Sequence, residues 1–239
     1  MLILWEKKIK AYFFVIVLLI LAYGVYYVND YSHAESVVNN YLNGTDNVSV
    51  SKLSNGLFVD GYGNDTVLIF YPGAKVEYTS YLPMFVELAN QGVDCYLVEM
   101  PFNIAFLGQN SADSIINTTN YSTYVIAGHS LGGVVASSYM NQSGRCDGLI
   151  LFAAYPTEKI DKPVLSIYGS EDNVLDKNRY NDSKPLMSNI TEYVIDGGNH
   201  AQFGYYGNQS GDGMANISAE NQQNQTVYEI LEFVNLIRN

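Results

Sequence analysis

Only two cysteines, one tryptophan, three histidines and six prolines occur in 239 residues. Two cysteines cannot build a disulfide scaffold or furnish the thiolates of a zinc ribbon, so a packed core must hold the fold. Basic side chains are also scarce, 12 Lys and Arg against 24 Asp and Glu, for a formal charge of −12. Nucleic-acid binding needs Lys and Arg to neutralise phosphates, and this balance disfavours it. Charged residues of both signs reach only 15%, below the usual quarter, and Asn and Tyr supply much of the polar surface instead. The apolar share of 48% is ample for a core and excludes a disordered tail. At roughly 100–200 residues per domain, the length fits one domain with an appendage.

The appendage is visible at once. Residues 11–28 (AYFFVIVLLILAYGVYYV) form an uncharged apolar run. As a helix this run spans roughly 27 Å, close to the hydrocarbon thickness of a bilayer. Lys7, Lys8 and Lys10 precede it, while Asp30, His33 and Glu35 follow. The positive-inside rule then makes residues 1–10 a cytoplasmic basic tip, 11–28 a signal-anchor in the cytoplasmic membrane, and everything later extracytoplasmic. The alternative is a cleaved signal peptide, whose apolar region is shorter and ends at a small-x-small site. Three of the 12 basic and one of the 24 acidic residues lie in the first ten, which leaves the remainder at −14. Solubility accounts for that charge.

Residues 29–47 are polar and read as a tether. From residue 48 onward strand and helix signals alternate. Val48–Leu53 and Leu57–Asp60 flank Asn55-Gly56, a hairpin dipeptide. Thr66–Tyr71 (TVLIFY) is a continuous apolar run, the pattern of a strand buried on both faces. Further buried-type strands are predicted at Val93–Glu99, Tyr124–Ala127, Gly148–Ala153, Val164–Tyr168 and Thr191–Ile195. Helices are predicted at Tyr78–Gln91, Ala112–Thr119, Leu131–Asn141, around Val174–Tyr180, and at Ala219–Arg238. Such alternation implies an α/β fold, with a mostly parallel central sheet covered by helices on both faces. No linker divides residues 48–239, so they form one domain.

The chemistry collects at predicted strand ends. Gly128-His129-Ser130-Leu131-Gly132 follows an apolar strand and opens a helix rich in small residues. That is the setting of a G-x-S-x-G nucleophile elbow, which presents Ser130 above the sheet beside a helix N-terminus. A hydroxyl needs a base to become a nucleophile. Of the three histidines, His33 lies in the tether and His129 points away from the serine within the elbow. His200 remains, just after the last predicted strand. A carboxylate should orient it, and Asp172 in Gly169-Ser170-Glu171-Asp172 is the first choice, with Glu171 the local alternative. Two amides should hold an oxyanion: Leu131, directly after the nucleophile, and Ala74 in Pro72-Gly73-Ala74-Lys75, with Lys75 second. Asn103, Gln202 and Tyr205 are candidate pocket walls, because their loops leave other strand ends.

Together these residues resemble the alpha/beta-hydrolase superfamily over about residues 48–239. Within it the chain is similar to small lidless esterases and dienelactone-hydrolase-like members, with serine in place of the cysteine of true dienelactone hydrolases. Pro72-Gly73 stands where His-Gly is usual. The resemblance implies no metal or organic cofactor, and a small acyl-ester substrate attacked through an acyl-enzyme. No protein partner is identifiable. The segment 152–163 is too short for a cap domain, which favours small or exposed acyl groups. Acyltransferase, thioesterase or peptidase chemistry would use the same triad, and a silent binding protein could keep the scaffold. The superfamily's strand order places two strands between Cys95 and Cys146, too far for a disulfide.

Overall fold

The structure, a computed structural model, describes residues 2–63 and 65–238. Met1, Asn64 and Asn239, and the side chains of residues 2–4, Glu6, Lys7 and Ala11, parts of the expected tip, domain and apolar run, lie outside it. The chain divides into two units, one ending at Tyr31 and one beginning at Ser32. The first is a single helix, α1 (Leu2–Asn29). Its segment Lys8–Asn29 is the one helix among the described residues long and apolar enough to cross a membrane. Phe13, Phe14, Leu19 and Ile20 are all exposed along it.

The second unit is built on eight strands: β1 (Ser49–Leu53), β2 (Gly56–Asp60), β3 (Thr66–Tyr71), β4 (Asp94–Val98), β5 (Thr123–His129), β6 (Gly148–Phe152), β7 (Ile160–Gly169) and β8 (Met187–Ile195). They form one sheet in the order β1-β2-β4-β3-β5-β6-β7-β8. The β1–β2 and β2–β4 pairings are antiparallel, and all later ones are parallel. Five more helices complete the unit: α2 (Leu82–Asn90), α3 (Ser111–Thr118), α4 (Leu131–Ser143), α5 (Lys177–Ser183) and α6 (Ala219–Arg238).

The unbroken apolar run of β3 has a direct cause. Side chains alternate between the faces of a sheet. Leu68 and Phe70 join the core that holds Phe85 of α2 and Ile230 of α6. Val67, Ile69 and Tyr71 join the opposite core, with Ile115 of α3 and Val135 of α4. Both faces are therefore dry, and the strand is apolar in both registers after Thr66, whose hydroxyl accepts from Arg238. Cys95 belongs to the first core and Cys146 to the second, and both are buried and unpaired.

The expected tether over 29–47 is corrected by the structure. From Ser32 the chain is already part of the domain. Ser32 bridges to Val76, the Ala34 amide donates to Glu77 Oε2 at 3.0 Å, and the Glu35 amide donates to the Tyr205 carbonyl at 2.8 Å. A 3-10 turn at Ser36–Asn40 then drives Val38 into the core, at 2% exposure. The sequence reads as polar because only one side of this turn is apolar, and a five-residue turn is too short to display a period. The β8 strand also begins earlier than Thr191, because as an edge strand it is mostly exposed between its buried ends Met187 and Ile195 and forms no apolar run.

Candidate active site

Ser130 caps α4 at φ 52°, ψ −123°, a backbone region that side-chain-bearing residues avoid. Holding it there costs on the order of 1–3 kcal/mol, and the neighbouring glycines allow the turn. A Cβ on Gly128 would collide with the backbone of Gly132. A Cβ on Gly132 would collide with the carbonyl oxygens of Tyr71 and Pro72. The elbow is thus pressed against the end of β3, and the sheet leaves it no room to retreat. Gly132→Ala should destabilise the fold by about 3 kcal/mol, the upper end of ordinary overpacking. In a thermal melt that corresponds to a loss of about 6–12 °C.

Asp172 and His200 meet under full burial, at 0% and 1% exposure. His200 Nδ1 lies 2.9 Å from Asp172 Oδ2. A carboxylate only accepts, so Nδ1 carries a proton, and in the neutral imidazole the lone pair is then on Nε2. Nε2 is buried and has no hydrogen-bond partner among the described residues. The other carboxylate oxygen, Oδ1, accepts the amides of Val174 and Leu175, both at 2.8 Å. Glu171, the alternative acid, accepts instead from the Ser170 hydroxyl.

Ser130 and His200 line one cavity of about 220 Å³. Leu131, Val134, Ala154, Tyr155, Val174 and Leu175 supply most of its wall. Asn103, Gln202 and Tyr205 are not among the residues lining it. Gln202 lines a polar hollow of about 380 Å³ behind the histidine loop, and Tyr205 a groove of about 340 Å³ beside α6. Asn103 instead gives its carbonyl to the Lys75 amide at 2.8 Å.

The loop after β3 distributes its amides unequally. Gly73 N–H donates to the Tyr81 hydroxyl at 3.2 Å, Lys75 N–H to Asn103, and Val76 N–H to the Gly73 carbonyl at 3.3 Å. Among the described residues, the Ala74 amide has no partner, and Ala74 is exposed. Leu131 holds the first position of α4, where an amide has no intrahelical acceptor.

Three residues with a hold on this site escape sequence reasoning. The Asp212 carboxylate accepts the amides of His200 at 3.2 Å, Ala201 at 2.9 Å and Gly213 at 2.8 Å, which fastens the histidine loop. Gln222 clamps Asn199 from both sides, accepting its amide at 3.0 Å and donating to its carbonyl at 2.8 Å. Tyr81 is buried between the Gly73 loop and His129. Gln222 sits in a Gln- and Asn-rich stretch of α6 that reads as solvent-facing. For Asp212 the only local signal is its place between two glycines.

A model of the alpha/beta hydrolase family matches residues 67–224. The chain belongs to that family. The eight-stranded, mostly parallel sheet with the elbow after β5 is its architecture here. Comparison with curated proteins finds no match. Among solved structures, the chain is similar to a membrane phospholipase A described as a bacterial virulence factor, with a TM-score of 0.61, 12% identity, and coverage of 96% of this chain and 99% of that one. An alpha/beta hydrolase enzyme from the metagenome of sediments of the Mar Chica lagoon, Morocco, gives a TM-score of 0.59 at 15% identity, covering 78% and 99%. Est1E from Butyrivibrio proteoclasticus gives 0.53 at 12% identity, covering 79% and 99%. At these identities the likeness is one of fold.

Proposed function

We propose that this protein is a membrane-anchored, extracytoplasmic serine hydrolase, and that its substrates are carboxylic esters with small or exposed acyl groups. One observation carries the reading: the buried Asp172–His200 pair leaves Nε2 without a partner among the described residues, and His200 and Ser130 line the same cavity. Ser130 Oγ attacks the acyl carbonyl while His200 Nε2 takes its proton. Asp172 keeps the imidazolium in place. The oxyanion is held by the amide of Leu131, at the first position of α4, and that of Ala74, which has no partner among the described residues. The proton then passes from His200 to the departing alcohol, and water repeats the sequence to release the acid. The apolar span Lys8–Asn29 and its basic flank support the anchor and the outward placement of the domain.

The direct test is labelling of folded protein by a fluorophosphonate probe at neutral pH. Stoichiometric labelling supports the reading, and its absence overturns it. The cavity also bounds the substrate. A cavity of about 220 Å³ walled largely by apolar side chains suits a short acyl chain. For p-nitrophenyl esters, kcat/KM should therefore peak between acetate and hexanoate and fall at least about tenfold by decanoate. A preference for decanoate would refute the small-acyl assignment.

A further inference from the structure

The proposed mechanism leaves one buried polar assembly unused. Tyr81, fully buried on the first core's side, places its hydroxyl 3.2 Å from the Gly73 amide and 2.8 Å from His129 Nδ1. His129 lies between the nucleophile's turn and the base. Its ring sits 4.5 Å from that of His200, 5.5 Å from that of Phe203 and 5.7 Å from that of Tyr81. A phenol oxygen can accept the Gly73 N–H while its own proton goes to Nδ1. That arrangement requires an unprotonated Nδ1, hence a neutral His129. Burial pushes the His129 pKa well below its ordinary value, and the neighbouring His200 pushes in the same direction.

The consequence falls on the oxyanion loop. With Gly73 N–H drawn inward by Tyr81, and Lys75 N–H drawn aside by Asn103, the peptide planes immediately before and after the one that carries the Ala74 N–H are fixed. The fit is tight, because a Cβ on Gly73 would stand only 3.0 Å from His129 Nδ1 and 3.2 Å from the Tyr81 hydroxyl. We propose that Tyr81 and His129 form a buried buckle that aims the Ala74 amide, making both of them positioning residues for acyl transfer. This rests on the serine-hydrolase reading and goes beyond it. The histidine of the elbow and a tyrosine entering α2 set the direction of a donor on a third element.

The full chain in detergent provides the test, with turnover of p-nitrophenyl butyrate normalised to fluorophosphonate-titrated sites. In Tyr81→Phe the Gly73 amide loses its acceptor. The expected result is a fall in kcat of about 10–100-fold, a part of the roughly 10²–10³ that one oxyanion donor supplies, with KM within twofold. The affinity of a trifluoromethyl ketone, whose adduct carries an oxyanion, should fall in parallel. His129→Gln, which keeps an acceptor for the Tyr81 hydroxyl, should retain several-fold more kcat than His129→Leu. Unchanged kcat and inhibitor affinity per titrated site in Tyr81→Phe would overturn the buckle, as would equal kcat in the two His129 variants. Should Tyr81→Phe fail to fold, the His129 pair decides alone. Failure of the underlying reading would look different, since the native protein would not take the probe at all.

Discussion

Replacing Ser130 by alanine should abolish fluorophosphonate labelling and lower ester turnover by about 10⁴–10⁶-fold, the range seen when a triad nucleophile is removed. The loss should be almost purely chemical. Alanine adopts the same backbone as serine, and the elbow is already held by the Phe152 carbonyl, which accepts the Ser130 amide at 2.9 Å. The melting temperature should therefore stay within a few degrees of the native value. The contrast with Gly132→Ala is informative, since that change strikes the fold through a collision with β3 and strikes activity only as a result. Retention of more than a tenth of the activity in Ser130→Ala would remove this serine from the chemistry.

Asp172→Asn should lower kcat by about 10⁴-fold while leaving the protein folded. The physical reason lies in the two oxygens. Oδ1 is fixed by the amides of Val174 and Leu175, so in the variant the carboxamide oxygen takes that place and its NH₂ group turns toward His200. A donor facing Nδ1 forces the ring proton onto Nε2, and His200 can no longer accept from Ser130. The pH–rate profile supplies the check. A tautomer defect persists across the neutral range and is relieved only where hydroxide replaces the base. Full activity in Asp172→Asn would shift the role to another acid. Glu171 would be the first to examine, although it is turned to Ser170 in this structure.

Much of the architecture is legible in the sequence because its causes are local. β3 must be apolar on both faces, and six consecutive apolar or near-apolar residues announce it. The elbow needs glycine where no Cβ fits, and Gly128 and Gly132 declare it beside Ser130. Strands β5 and β6 and helices α4 and α6 are predicted within a few residues of where they occur, since capping glycines and apolar periods mark their ends. A histidine count of three nearly isolates His200 by elimination.

Other features depend on which loops the sheet order brings together. Asp172 and Glu171 are adjacent and chemically alike, and only the turn after β7 decides which of them faces His200. Ala74 and Lys75 both carry amides, and the Asn103 carbonyl, arriving from the end of β4, removes Lys75 from contention. Gln222 reads as surface because its partner, the Asn199 backbone, comes from a loop far earlier in the chain. Residues 32–47 read as a spacer because the core that receives Val38 belongs to other elements. The sequence by itself determined the strands, the elbow, the apolar span and the inventory of reactive side chains, all of which rest on short-range sterics and hydrophobic period. The tertiary structure alone decided which carboxylate meets His200, which amide of the loop after β3 stays without a partner among the described residues, what supports the histidine loop, and the Tyr81–His129 contact beneath the elbow. Each of those depends on hydrogen bonds between separate elements, and such bonds leave no pattern along the chain.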